Sequence, residues 1–302
     1  MSNHYTYHAQ TNLTSTELAA CQAVVLRCHQ YDHSAKDPYF SQQFNFFPTM
    51  PAFILAYLAD QLIGFAVLYA DSDPKDLEPV EVTLLVDPSF RHRGIGQSLR
   101  RQAEHFLTRI GYTKIYFVSE LNFLKRQPTF LTKWQLKQTD QVEVQLSLNL
   151  KRFAHQSIKS VPSTVRPMKG TDIPTLIPAY CASFNFTDHT VAMTYLTVAH
   201  QDVRCATYVL LNQDQVPIGY AALDLSQANY YYLFSFFIAP GHRNQGLGSA
   251  FLNTLWSQLV GHHADIVKLA VEHDNQLARH LYHKVGFKEE TQIVYLSTQS
   301  MH

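Results

Sequence analysis

Cysteine is scarce in this chain: four residues in 302, Cys21, Cys28, Cys181 and Cys205, with no CxxC pair among them. That is too few to staple a chain of this length, and it excludes a disulfide scaffold and a cysteine-built zinc module. The four read as reduced, mostly buried thiols. Net charge is missing too, because Lys+Arg and Asp+Glu number 24 each. No uniform field draws the molecule toward phosphate polymers or anionic lipid, so general nucleic-acid binding is disfavoured. No long apolar run is unbroken. The most apolar window, 51–70, is interrupted by Asp60-Gln61 and Gly64, which suits two strands and a tight turn better than a membrane span. The first residues, Met1 to Thr14, lack the basic start and apolar centre of a secretory signal, so a cytoplasmic protein is expected. Sixteen histidines are scattered, and close pairs such as His262-His263 have no partners at zinc-ligand spacing. No metal is expected.

What is present is a large apolar inventory, 46% hydrophobic and 13% aromatic, enough for cores in two domains at this length. The chain also repeats itself. Val86-Asp87-Pro88-Ser89-Phe90-Arg91-His92-Arg93-Gly94-Ile95-Gly96-Gln97 aligns without a gap on Ile238-Ala239-Pro240-Gly241-His242-Arg243-Asn244-Gln245-Gly246-Leu247-Gly248-Ser249, and 243 − 91 gives an offset of 152 residues. Upstream, Ile63-Gly64-Phe65-Ala66 matches Ile218-Gly219-Tyr220-Ala221, each closing a hairpin. Candidate helices precede the hairpins, Ser15 to Cys28 and Asp172 to Ser183, each with a plausible cap. Val142, Val144, Leu146, Leu148 and Leu150 alternate with polar residues and read as a last strand of the first half. The expected division is residues 1–150, a basic linker over 151–163, and residues 164–302, which opens with a strand around Thr164-Val165-Arg166.

In both halves an apolar strand, Val80 to Val86 or Tyr230 to Ile238, runs through a proline into Arg-x-x-Gly-x-Gly and an amphipathic stretch, Gln97 to Leu107 or Ser249 to Leu259. The first N–H groups of a helix point one way unpaired, and glycine clears the approach of an anion to them. Such a turn can cradle a pyrophosphate. One Gly-x-Gly is often only a sharp corner; two copies in one context, each with the same Arg, favour the cradle. A Rossmann site fits less well, because the third glycine is missing and the turn follows an antiparallel hairpin. A Walker loop is excluded for want of Gly-Lys-Ser/Thr.

With these residues the chain resembles the GNAT superfamily of acyl-CoA-dependent N-acyltransferases, whose signature is a strand, an apolar-x-Pro step and Arg/Gln-x-x-Gly-x-Gly/Ala. The second half continues as Leu269-Ala270-Val271, Asn275, Ala278, Leu281-Tyr282 and Gly286-Phe287, similar to the family's second motif. Asn275 and Tyr282 are seven residues apart, so both face one way on a helix starting near Asn275. Asn275 suits an N-cap as well as a ligand contact, and Tyr282 suits a core position as well as an acid. The resemblance implies a mixed α/β (α+β) fold of two tandem GNAT-like domains, each a mostly antiparallel sheet flanked by helices. It implies acetyl-CoA as acyl donor, bound in the second half by Phe236, Ile238, Arg243, Gln245, Gly246, Gly248, Ser249 and Asn275, with Tyr282 facing the thioester sulfur. Arg91, Arg93, Gly94, Gly96 and Gln97 form the matching turn of the first half.

The first half departs from the pattern. Val118 and Asn122 keep their spacing, but Pro128 interrupts the following helix, and the tyrosine position falls on Thr129 or Leu131. Neither is a useful acid, so the first half is expected to keep its turn and lose catalysis. The base is not evident: Asp224 and Glu272 are candidates through water but read more readily as surface acids. Glu81, on the first half's strand, lies in a half without the tyrosine and is given no role. Phe184, Phe186, Tyr195, Tyr230 and Tyr231 fit core packing or an apolar acceptor pocket. The reading is an N-acetyltransferase acting on a small-molecule amine. A non-catalytic CoA-sensing or scaffold pair, and an acyltransferase for a protein amino group, are its alternatives. Single domains of this family often dimerise through a surface that a tandem chain can cover itself, which favours a monomer.

Overall fold

The computed structural model describes residues 4–153, 164–227, 229–262 and 264–298. Most of the expected linker, and His263, lie outside them. The chain divides into two compact units, Met1–Glu143 with Thr291–His302, and Val144–Glu290.

The first run of elements is β1 (Tyr5–Gln10), α1 (Ser15–Asp32), β2 (Phe53–Leu58), β3 (Gln61–Tyr69), β4 (Val80–Val86), α2 (Ile95–Arg109), β5 (Ile115–Glu120), α3 (Leu121–Arg126), α4 (Phe130–Trp134) and β6 (Leu136–Asn149). The second is α5 (Leu150–Phe153), β7 (Thr164–Pro167), α6 (Ile173–Phe184), α7 (His189–Gln201), β8 (Cys205–Leu211) and β9 (Pro217–Asp224). It continues through β10 (Tyr230–Ile238), α8 (Leu247–Leu259), β11 (Ile266–Glu272), α9 (Gln276–Lys284) and β12 (Lys288–Thr298).

In the first unit the strand order is β1-β2-β3-β4-β5-β12. Its ladders are antiparallel except for β4 and β5, which run parallel. One face packs Ile95, Leu99, Ala103 and Leu107 of α2 on Ile63, Ala66, Val80 and Val82. The other packs Cys21, Val24, Val25 and Cys28 of α1 on Phe53, Leu55, Phe65 and Val67. Helix α1 starts where a capping box forms: the Thr14 hydroxyl accepts from the Glu17 N–H, and the Glu17 carboxylate accepts from the Thr14 N–H at 2.8 Å. The second unit repeats the plan with order β6-β11-β10-β9-β8-β7. Phe251, Leu252, Leu255 and Trp256 of α8 fill one face, and Leu176, Tyr180 and Leu196 of α6 and α7 fill the other. Each fully buried side chain of this size contributes roughly 1.5–3 kcal/mol.

The packing boundary differs from the boundary along the chain at two strands. Leu146, Leu148 and Leu150 belong to the core of the second unit, whereas Val294 and Leu296 of the last strand belong to the core of the first. Residues 293–296 pair with β5 in antiparallel register, Ile293 opposite Glu120 and Leu296 opposite Phe117. Among the described residues no helix is long and apolar enough to cross a membrane.

Candidate active site

The repeated turn has the same backbone in both units. His92 and Asn244 take left-handed φ values of 62°, and Gly94 and Gly246 follow at 82° and 76°. Left-handed backbone suits glycine, and the alternation turns successive N–H groups toward one side, a concave anion cradle. Helices α2 and α8 begin there: Ser98 N–H donates to Gly94 C=O at 3.0 Å and Ala250 N–H to Gly246 C=O at 3.1 Å. The N–H groups of residues 95–97 and 247–249 precede the first helical bond of each. The second glycine of each turn answers to packing. A Cβ on Gly96 would lie 3.0 Å from the Trp134 ring, and one on Gly248 would lie 3.3 Å from Leu281.

The two arginines share one bond and differ in the rest. Arg91 Nε donates to Val86 C=O at 3.0 Å, and Arg243 Nε to Ile238 C=O at 2.9 Å, pinning each turn to the strand before it. Arg91 spends its remaining nitrogens on Asp32 at the end of α1, at 2.7 and 2.6 Å. Among the described residues Arg243 meets only a hydroxyl there, Ser183 Oγ at 2.8 Å. Arg93 is exposed and lies over the Phe90 ring, and Gln245 is exposed beside Gly246.

Next to each turn the paired strands separate. Parallel pairing of β4 with β5 covers Val80–Val82 against Ile115–Phe117, and that of β10 with β11 covers Tyr230–Tyr232 against Ile266–Lys268. Past this register the first unit holds a cavity of about 360 Å³. Residues 83–86, Gly94, Gly96, Gln97 and residues 117–120 line it, with Phe123, Phe130 and Trp134 at one side. The helix expected there is broken at Pro128 into α3 and α4. Phe130 meets Phe123 edge-on and stacks on Trp134, both at 5.0 Å between centroids. These rings occupy the stretch where a tyrosine acid was sought.

In the second unit α9 is intact. Asn275 is its N-cap, with Oδ1 accepting from Ala278 N–H at 3.1 Å, so the capping role is real. Tyr282 lies two turns on, 9% exposed, against Phe236 at 6.4 Å and Phe287 at 5.7 Å between ring centroids. Burial, with a lesser contribution from Tyr232, lifts its hydroxyl far above the ordinary phenol value, so it stays protonated. Phe236 also packs on Phe251, and Ile238 is buried in the same core. Of the other aromatics, Tyr231 is core, Phe186 and Tyr195 stack on each other beside the α6 core, and Phe184 is partly exposed.

The acids need revision. Glu272 is exposed, but Asp224 is not a surface acid: it is 5% exposed at the end of β9 and accepts from Ser226 N–H at 2.7 Å. Burial raises its proton affinity and that hydrogen bond opposes the rise. Across the ladder Asp224 faces Tyr232 of β10. In the first unit the corresponding rung carries the same pair exchanged, Glu81 on β4 and Tyr69 on β3. The gapless sequence alignment hides this, because a bulge between Leu233 and Ser235 inserts a residue into β10. Glu81 therefore corresponds to Tyr232, not to Leu233. Burial pushes the Glu81 carboxyl up to about 7, with Lys36 opposing and Glu143 and Asp71 adding to the rise. The only sequence signal for it was one carboxylate inside an apolar strand.

The chain is similar to known proteins in sequence pattern and in fold. Residues 18–127 and 173–287 match the family described as acetyltransferase (GNAT) family. A GCN5-related N-acetyltransferase from Sphaerobacter thermophilus superposes with a TM-score of 0.71 at 13% identity, over 97% of this chain and 95% of that one. A tandem GNAT protein from the clavulanic acid biosynthesis pathway gives 0.70 at 15% identity, over 99% of this chain and 100% of that one. A GNAT-family acetyltransferase from Colwellia psychrerythraea gives 0.58 at 14%, over 97% and 100%. At such identities the likeness concerns the fold. No curated protein sequence matches the chain. Two family matches, two copies of one turn and two parallel strand pairs that part beside it establish that this chain belongs to the GNAT acetyltransferase family, as a tandem of two GNAT domains.

Proposed function

We propose that the chain transfers an acetyl group from acetyl-CoA to the primary amine of a small molecule, and that the second unit carries the reaction. The observation that supports this most is Tyr282, held on the unbroken α9 against Phe236, on the stretch of β10 beyond its register with β11. The N–H groups of Leu247, Gly248 and Ser249 take the cofactor's pyrophosphate, with Arg243 and Gln245 beside it. Main-chain groups at Phe236 and Ile238 and the Asn275 amide hold the pantetheine arm. The turn of the first unit, with Arg91, Arg93, Gly94, Gly96 and Gln97, opens on its cavity and binds a second CoA.

Positioning brings the amine to the thioester carbonyl. The new C–N bond forms, the C–S bond breaks, the departing sulfur takes a proton, and the amine nitrogen gives one up. Tyr282 supplies the first of these protons and is reprotonated from solvent. A phenol has a pKa of about 10 and a thiol about 8.5, so burial makes Tyr282 a weak donor that is always loaded.

The test mixes purified protein with acetyl-CoA and an amine library and follows free thiol. Wild type releases thiol with some amine, and Tyr282→Phe loses most of that rate at unchanged acetyl-CoA affinity. Equal rates refute the acid role. Calorimetry with CoA finds two sites per chain; one site, surviving Gly94→Ala/Gly96→Ala, would reduce the first turn to architecture.

A further inference from the structure

The loop after α1 is fastened around one residue from two sides. Glu120, 5% exposed at the end of β5, accepts from Ala35 N–H at 3.0 and 3.1 Å and from Lys36 N–H at 3.1 Å. The Lys36 C=O in turn accepts from His29 Nε2 of α1 at 3.2 Å. The main chain of Lys36 is thus fixed by a side chain from a helix and one from a strand. Ser34, Lys36 and Glu120 line the same cavity as residues 83–86 and the glycine turn. Lys36 is half-buried, and its charge favours ionisation of Glu81, two residues before Thr83 on β4. Its side chain therefore runs from Glu120 toward the place where β4 and β5 part, just past Val82.

The second unit places no lysine there. Ser183 answers to Asp32, since each meets the arginine of its turn, and the stretch that follows reads Phe184-Asn185-Phe186-Thr187-Asp188. Glu272, the last residue of β11 as Glu120 is of β5, is exposed. The lysine belongs to the half that lacks the tyrosine acid.

We propose that Lys36 is a self-acetylation site: its Nζ takes the acetyl group of acetyl-CoA held at the first turn and keeps it as N-ε-acetyl-lysine. This rests on the second CoA site proposed above. The neutral amine attacks the thioester carbonyl, the C–N bond forms and the C–S bond breaks. Nitrogen gives up one proton and the departing sulfur takes one. Sharing one cavity replaces a bimolecular encounter, which sets Lys36 apart from exposed lysines. The product amide stays on the chain, so the first unit performs one transfer and stops. That transfer removes a positive charge from the cavity.

The test treats the full chain, with Lys36 unmodified by peptide mapping, with isotopically labelled acetyl-CoA at pH 8 and no added amine. Mass spectrometry then follows each lysine. Lys36 is labelled toward one acetyl group per chain, at least tenfold faster than Lys75 and Lys114, which are exposed. Glu120→Ala, which frees the Lys36 main chain, slows labelling at least tenfold while remaining folded by thermal unfolding and binding CoA as wild type does. Lys36 labelled no faster than Lys75, with two CoA sites found by calorimetry, would overturn the proposal and leave the second CoA site standing. A single CoA site would remove that site and the proposal with it. Unchanged labelling in a folded Glu120→Ala, or labelling that persists in Gly94→Ala/Gly96→Ala, would also overturn it, because the acetyl group would then arrive without the loop or the turn.

Discussion

Arg91 grips both carboxylate oxygens of Asp32, a residue 7% exposed at the last position of α1, so the first turn is tied to the helix on the other face of its sheet. Arg243 at the equivalent position meets one serine hydroxyl. Two copies of one motif have thus diverged in how firmly they are held.

Arg91→Ala leaves Asp32 buried and unpaired and is expected to cost roughly 3 kcal/mol. Arg243→Ala removes hydrogen bonds at an exposed side chain and is expected to cost about 1 kcal/mol. Urea unfolding of the two variants checks the contrast. Asp32→Ala combined with Arg91→Ala recovers part of the larger loss.

Glu81 gives stability a pH dependence of definite sign. Its carboxyl titrates near 7 in the folded chain against 4.5 when unperturbed, so the folded state holds the extra proton between those values. The contribution is therefore greatest below pH 4.5 and is lost as pH rises through 7. Glu81→Gln, a permanent mimic of the protonated form, should exceed wild type in stability by roughly 2–3 kcal/mol at pH 8 and by little at pH 4.5. Equal stability at pH 8 would contradict the burial of this group.

Tyr282 should impose no alkaline limb on thiol release below pH 10, because its hydroxyl is held far above the ordinary value. A pH profile of kcat/KM with the best amine decides this. A loss between pH 9 and 10 that vanishes in Tyr282→Phe would mean that the hydroxyl ionises there.

Thiol chemistry separates the cysteines. Burial lifts Cys21 to about 12 and Cys28 to about 11, leaving almost no thiolate at pH 8. Cys205 alone is not buried. Mass mapping after a short exposure to a thiol reagent should find Cys205 labelled first, and Cys21 and Cys28 labelled only after unfolding.

Local grammar carried most of the fold. The strands Val80–Val86 and Tyr230–Ile238 fall where the apolar runs lie, α9 begins at Asn275, and Pro128 breaks its helix as its ring requires. Two things were not written locally. The bulge in β10 shifts every upstream rung by one residue, and that single insertion concealed the correspondence of Glu81 with Tyr232. The burial of Asp224 comes from strands distant in sequence, so no local pattern announces it. The helix face that Tyr282 shares with Asn275 was legible in their spacing of seven; the contacts of Tyr282 with Phe236 and Phe287 were not, because they depend on how α9 meets β10.

The position of the last strand has a consequence for synthesis. The first unit takes Val294 and Leu296 into its core from residues translated after the whole of the second unit. The half that is translated first is therefore the half that finishes last: until residue 296 emerges, Val82, Phe117 and their neighbours wait beside an open sheet edge. The second unit, complete at Glu290, is ready sooner.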